Sequence, residues 1–253
     1  PKYYIKMGET MERFAIEASM AKVYGSETSD MVADNCLQIF GGYGFIEEYP
    51  IAMAYRDDRI NRIWEGTNEI NRAIISGYMM KKVLTEEISL RDFLKDLNTF
   101  IAADVQANSQ DNFAIEKHAV QATKKLVVLI FQEALCEFGQ DLKHEQQLSE
   151  AFADIFTHIY TSESVICRVQ QTLSSNGASN MPVNIAKINV AESLLEVRSL
   201  SAKCLNRIFS ENVPTSIMRS VTKLHDIINL DTDTISLKKD LGEFMIDRKD
   251  YPF

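Results

Sequence analysis

The sequence predicts an all-α protein, on three observations. Only ten glycines and five prolines punctuate 253 residues, and these breakers cluster between long periodic segments. Within those segments apolar residues recur every three or four positions, the signature of amphipathic helices. Three or more long helices with short connections then argue for an antiparallel bundle.

Met11, Phe14, Ala18 and Ala21 begin the first helical stripe, which runs on through Ala33 and Leu37 to Phe40. Gly41 and Gly42 stop that helix. Pro50 opens a short helical stretch, because its fixed φ suits a first turn. Thr67 is an N-cap for a helix carrying Ile70, Ile74 and Tyr78, and Glu69 in its first turn suits the positive end of the helix dipole. After about Lys82 the chain becomes charged ("KVLTEEISLRDFLKDL"), and a boundary near residue 85 separates domain 1–85 from domain 86–253. The second domain carries three long amphipathic runs. They are Val120, Val127, Phe131, Ala134 and Phe138; Phe152, Ile155, Phe156 and Ile159; and Ile185, Ile188, Ala191 and Leu195. "SSNGASNMP" (Ser174 to Pro182) and "SENVP" (Ser210 to Pro214) read as loops.

Composition narrows the function. The net charge of −9 disfavours a dominant contact with nucleic-acid phosphates and gives no basic membrane-binding surface. Cys36, Cys136, Cys167 and Cys204 form no CxxC pair, so a zinc site or disulfide framework is disfavoured and reduced, buried thiols are expected. His118, His144, His158 and His225 show no ligand spacing, and no metal is expected. "LVVLIF" (Leu126 to Phe131) is too short to span a bilayer and reads as bundle core, with a face for a partner or membrane surface as the second role open to it. The opening, "PKYYIKMGETMERFAIEASMAKVYG", has no signal-peptide pattern and no initiator methionine, and reads as a stretch of something longer.

The densest segment is "LQIFGGYGFIEEYPIAMAYRDDRINRIWEGTNEINR", Leu37 to Arg72. "GGYG" permits positive φ and close backbone approach, which serves a helix stop and turn as readily as a phosphate or a flat ring. It follows no strand and precedes no Lys-Ser/Thr, so it is neither a dinucleotide fingerprint nor a P-loop. Arg56, Asp57, Asp58, Arg59 and Arg62 mix signs at helical spacing, the pattern of intramolecular ion pairs fixing a turn. Glu65 stands between Trp64 and Gly66. The indole offers an apolar wall that disfavours the ionised carboxylate and strengthens it as a base. Gly66 leaves room for a substrate, and Thr67 starts a helix whose free N–H groups face a polar ligand. A capped loop without chemistry explains "EGTNE" equally well, and spacing alone does not decide.

Taken whole, the segment resembles the C-terminal signature of the flavin-dependent acyl-CoA dehydrogenases. The likeness rests on the Gln-x-x-Gly-Gly-x-Gly turn, the Glu-Tyr-Pro, the Arg-Asp-x-Arg and the Glu-Gly-Thr, in the family's order, with "AKVYGSE" preceding them. It covers residues 10 to 82, about a third of the chain. Beyond residue 86 the chain resembles, in length and helical pattern, the extra C-terminal helical domain of the very-long-chain branch and its bacterial relatives.

The resemblance implies the end of the family's C-terminal four-helix bundle followed by a second bundle, with its FAD-binding domains absent. It implies Glu65 as the base that takes the α-proton of an acyl-CoA thioester while hydride passes to N5 of FAD. It assigns Gln38, Gly41 and Gly42 to contacts with FAD, typically that of a neighbouring subunit, and Thr67 and Glu69 to further flavin contacts, while Gly66 keeps the substrate-binding role read from its lack of a side chain. It also implies a homodimer, with the extra bundle over the face that shorter members use to form tetramers, and an electron-transferring flavoprotein as partner. The location implied is cytoplasmic in a bacterium, or the mitochondrial matrix or inner-membrane surface in a eukaryote. The competing reading is a non-catalytic helical interaction module that retains the dehydrogenase scaffold.

Overall fold

The computed structural model describes residues 2–103, 111–176, 180–210 and 212–248, and of residues 2, 3, 9 and 174–176 the backbone alone. Among the described residues every regular element is helical. The chain falls into two compact units, Pro1–Glu87 and Ile88–Phe253.

In the first unit α1 (Lys2–Arg13) and α2 (Ala15–Phe40) are separated by Phe14, whose φ of −106° and ψ of 11° break the expected continuous helix. The expected stripe of Met11, Phe14, Ala18 and Ala21 is exposed. The face that packs is instead Ile16, Ser19, Met20, Val23 and Ser26. It meets α5 (Asn68–Leu84) through Asn68, Asn71, Ile75 and Ser76. Ile70, expected in the α5 stripe, is also exposed, and Ile74 and Tyr78 are half-buried. On α5 the seam is largely polar and leaves little apolar period to read, whereas on α2 the buried period of Ile16, Met20 and Val23 is offset from the expected stripe.

The glycine turn follows α2. Gly41 sits at φ +58° and donates to Gln38 O at 3.0 Å, ending the helix as expected. Gly42 then starts a single helical turn, α3 (Gly42–Phe45). Gly44 is required by close approach, since a Cβ there would lie 2.5 Å from Leu37 O. Pro50 opens α4 (Pro50–Asp58), and a 3-10 turn (Arg59–Arg62) leads towards α5.

The second unit starts with two short helices, α6 (Leu90–Leu94) and α7 (Leu97–Ala102). Three long ones follow: α8 (Ala114–Phe138), α9 (Gln146–Asn176) and α10 (Met181–Phe209). The 3-10 turn Gly139–His144 joins α8 to α9. The expected loop at 174–182 is shorter than the sequence suggested, because α9 runs to Asn176 and α10 begins at Met181; residues 177–179 lie outside the described residues. The loop expected at 210–214 is present apart from residue 211, which lies outside them. Helix α9 runs antiparallel to both neighbours, with ion pairs from Glu145 to Arg207 (2.6 Å) and from Lys124 to Glu163 (2.5 Å) bridging the seams.

Helix α8 also packs against α6 and α11 (Thr215–Ile228). That is why Leu126 to Phe131 is apolar almost all round: five of its six residues are buried and Val128 is half-buried. Phe152, fully buried, meets Phe131 edge to face at 4.9 Å. Helix α12 (Thr234–Arg248) rests on α10 and buries no residue completely. Ile188 and Ala191 are buried as expected, but Leu195 is exposed, since α10 turns Val190, Leu194 and Val197 inward. Of the four cysteines only Cys204 is buried, correcting the expectation of buried thiols; burial pushes its thiol up to about 12.

His225 on α11 lies 2.9 Å from the hydroxyl of buried Ser201. Burial, then the Arg198 charge, lowers its pKa below the ordinary 6.5, with Asp226 opposing. A histidine depressed in the folded state binds its proton more readily when unfolded, so its linked stability is present above 6.5 and falls as pH drops below it. Urea midpoints of the chain should therefore decrease from pH 7.5 to 5.5, and the decrease should be smaller in His225→Gln. An equal decrease in both would discount His225 as a source.

Candidate active site

The loop before α5 is built around two left-handed residues. Ile63 and Trp64 both donate to Ile60 O, closing the 3-10 turn at 2.9 and 3.1 Å. Glu65 then takes φ +55° and Gly66 φ +81°. For glutamate such a conformation costs on the order of 1–3 kcal/mol and persists only where the surroundings impose it. Thr67 caps α5, its hydroxyl accepting from Ile70 N at 3.3 Å.

What imposes the turn is a set of side chains on α2 and α5. Lys22 Nζ donates to Gly66 O at 2.8 Å and to Asn68 Oδ1 at 2.6 Å. Asn71 Nδ2 donates to Gly66 O at 2.8 Å and Thr67 O at 3.1 Å. Asn68 Nδ2 donates to Ser26 Oγ and to Glu27 Oε1, each at 3.0 Å. Arg72 grips Glu27 with two bonds, 2.7 and 2.9 Å. Burial pushes the Glu27 carboxyl up, but the hydrogen bonds from Arg72 and Asn68 outweigh it and hold its pKa below the ordinary carboxylate value. Sequence reasoning missed Lys22, Asn68 and Asn71. Their one local signal was the pair of asparagines in "GTNEINR".

Around this network the charged segment divides. Arg62 pairs with Asp30 at 2.9 Å, and Asp58 accepts from Ser29 and Asn61. The bonds to Asp30 and Ser29 tie the turn to α2, the Asn61–Asp58 bond stays within the turn, and Arg62–Asp30 is an intramolecular ion pair of the expected kind. Arg56, Asp57 and Arg59 stand exposed.

Trp64 is 55% exposed and Glu65 is exposed beside it. The desolvating wall expected from the indole is thus not supplied by this unit alone. Glu69 is also exposed, and its own backbone amide, then the Thr67 hydroxyl, hold its carboxyl below the ordinary value.

Gln38, Gly41 and Gly42 lie at the other end of α2. From Lys22 to Gln38 is 38 − 22 = 16 residues, about 24 Å of helix at 1.5 Å per residue. The structure therefore gathers Glu65, Gly66, Thr67 and Glu69 in one place and puts the glycine turn in another. At Gly41 and Gly42 an added Cβ would meet nothing within 4 Å. An open recess of about 930 Å³ beside α4 is lined by Phe45, Glu47, Met53, Tyr55 and Arg56 among others, and by none of the expected site residues. Among the described residues no cluster of His, Cys, Asp or Glu could hold a metal ion, and no helix is long and apolar enough to cross a membrane.

A family model described as the C-terminal domain of acyl-CoA dehydrogenase matches residues 3–80, and a second with the same description matches residues 122–222. The chain belongs to the acyl-CoA dehydrogenase family. It is 34% identical over 203 residues to a probable acyl-CoA dehydrogenase of Bacillus subtilis, a match covering 79% of this chain and 34% of that protein. A caffeyl-CoA reductase–Etf complex subunit, CarC, from Acetobacterium woodii is 47% identical over 66 residues, 26% of this chain and 17% of its own. The crystal structure of an acyl-CoA dehydrogenase complexed with FAD from Bacillus anthracis superposes with a TM-score of 0.86 at 28% identity, over 97% of this chain and 41% of that one. The chain thus spans about a third of the length of the Bacillus subtilis relative, and its all-α architecture is that of the C-terminal part of the acyl-CoA dehydrogenases.

Proposed function

We propose that the chain is the C-terminal part of an FAD-dependent acyl-CoA dehydrogenase that desaturates long-chain acyl-CoA thioesters between Cα and Cβ in fatty acid β-oxidation, with Glu65 as the base. The observation that carries this reading is the strained backbone at Glu65, φ +55°, held by bonds to the carbonyl of Gly66. Glu86 and Ser210 also have positive φ among the described residues, but Glu65 alone of the three lies in the signature segment, and strain held by its surroundings clusters at functional sites.

An α-C–H beside a thioester is a weak acid, so its removal needs a placed carboxylate and donors at the oxygen where charge develops. Glu65 takes the α-proton on a carboxylate oxygen, and its backbone N–H donates to the thioester oxygen. FAD, when bound, supplies the hydride acceptor at N5. The FAD contacts assigned to Gln38, Gly41 and Gly42 suit an exposed helix end whose glycines leave the backbone open to a ligand. Thr67 and Glu69 stand at the start of α5 for further contacts.

The distance along α2 between the glycine turn and Glu65 supports a flavin of a neighbouring subunit for the former, hence a homodimer. Sedimentation of the full-length enzyme should give a dimer; a strict monomer with full activity would remove that assignment. The relative in an Etf complex supports an electron-transferring flavoprotein as the acceptor.

The chain lacks most of the length of its relatives, so residues 1–253 alone should hold no flavin and should not turn over acyl-CoA. The visible spectrum of the purified chain checks this. A yellow protein with stoichiometric FAD would overturn it.

A further inference from the structure

We propose that Lys22 is a positioning residue: with Asn71 it clamps the carbonyl of Gly66 and so fixes the left-handed turn that aims Glu65. This rests on the reading of Glu65 as the base. Lys22 belongs to α2, 44 positions before Gly66, and its ammonium contacts two neutral oxygens, Gly66 O and Asn68 Oδ1. Among the described residues it forms no ion pair within 4 Å. A lysine side chain loses considerable rotamer freedom when fixed. Spending that on a backbone carbonyl makes sense where the carbonyl's orientation matters.

The clamp closes from both sides. Asn71, 6% exposed, reaches Gly66 O from within α5. Glycine is favoured at residue 66 by φ +81°, and a Cβ there would also press on Asn71 Nδ2 at 3.2 Å. Asn68, 2% exposed, holds Lys22 in turn and is itself held by Ser26 and Glu27. The carbonyl of Gly66 is therefore tied to two helices through a buried polar layer. Without the ammonium, one of its two donors is lost, and Glu65 at φ +55° is free to relax towards commoner backbone angles. The chemistry needs the carboxylate and its N–H aimed together, and a misplacement of 1 Å is costly.

The test is made on the full-length, FAD-loaded enzyme with three variants, reading both the reaction and amide hydrogen exchange in the peptide spanning residues 63–70. Lys22→Met should lower the rate constant for flavin reduction by acyl-CoA about 10- to 100-fold, with KM and FAD content unchanged, and should speed exchange in that peptide. Lys22→Arg, which keeps a cationic donor, should recover part of both. Glu65→Gln should slow flavin reduction about 10²–10⁴-fold without changing exchange. If Lys22→Met does not fold, Lys22→Gln, with one amide donor, takes its place, and smaller effects of the same kind are expected. Native exchange in the Lys22 variant, or a rate loss matched by loss of FAD or a rise in KM, overturns the clamp while leaving the base assignment standing. A Glu65→Gln enzyme that reacts at the native rate overturns the base assignment, and the positioning role with it.

Discussion

Replacing Glu65 by glutamine in the full-length enzyme is expected to slow flavin reduction by acyl-CoA about 10²–10⁴-fold, the usual contribution of a general base. Glutamine has nearly the same shape and pays the same backbone cost at φ +55°, so the turn should persist. FAD and acyl-CoA should still bind. Glu65 is exposed in this unit, and no core contact is lost on substitution. The measurement is stopped-flow bleaching of the flavin under anaerobic conditions. Glu69→Gln is the control: its carboxyl is engaged by its own amide and Thr67, and a mild effect is expected. Bleaching of Glu65→Gln at near the wild-type rate would place the base elsewhere.

The second large effect concerns the fold of residues 88–253. Phe152→Ala should destabilise this unit by about 3–5 kcal/mol, the range for truncating a buried aromatic ring. Phe152 is fully buried, and Phe131, 4.9 Å away, would be left facing a cavity. Trp64, the single tryptophan, lies in the first unit, so its fluorescence does not report directly on this core. Urea unfolding followed by far-UV circular dichroism does. Leu195→Ala, at a position 56% exposed, should stay within about 0.5 kcal/mol. A Phe152→Ala loss as small as that control would contradict its place at the centre of the bundle.

The legible parts of the structure were those with local chemistry. Gly41 ended α2, Pro50 opened α4 and Thr67 capped α5, because each acts on its own few residues. The runs on α8 and α9 were legible too, since a bundle core is apolar and Val120, Val127, Phe152 and Ile155 all face it. The stripes on α2 and α5 misled. Their seam mixes Ile16, Met20, Val23 and Ile75 with hydrogen-bonded Ser26, Asn68 and Asn71, so the apolar period there is short and offset from the longer exposed one. Met11, Phe14 and Ile70 are apolar yet exposed in this chain. The clamp on Gly66 was the least legible element. Its lysine is 44 residues away, and nothing local to either position announces the other.

Gly44 and Glu65 differ in what would become of them in a descendant selected for stability alone. Gly44 would stay glycine regardless, because Leu37 O leaves no room for a side chain; the turn is a debt to architecture. Glu65 carries no such obligation. Glycine there would relieve the strain at φ +55°, and drift under selection for stability alone would be expected to install it. A glycine-rich turn is therefore poor testimony about activity, since an inert scaffold keeps it. Strain by itself is no better testimony, since Glu86 at φ +61° and Ser210 at φ +44° share it; what sets Glu65 apart is the pair of donors, Lys22 and Asn71, holding the carbonyl of the next residue.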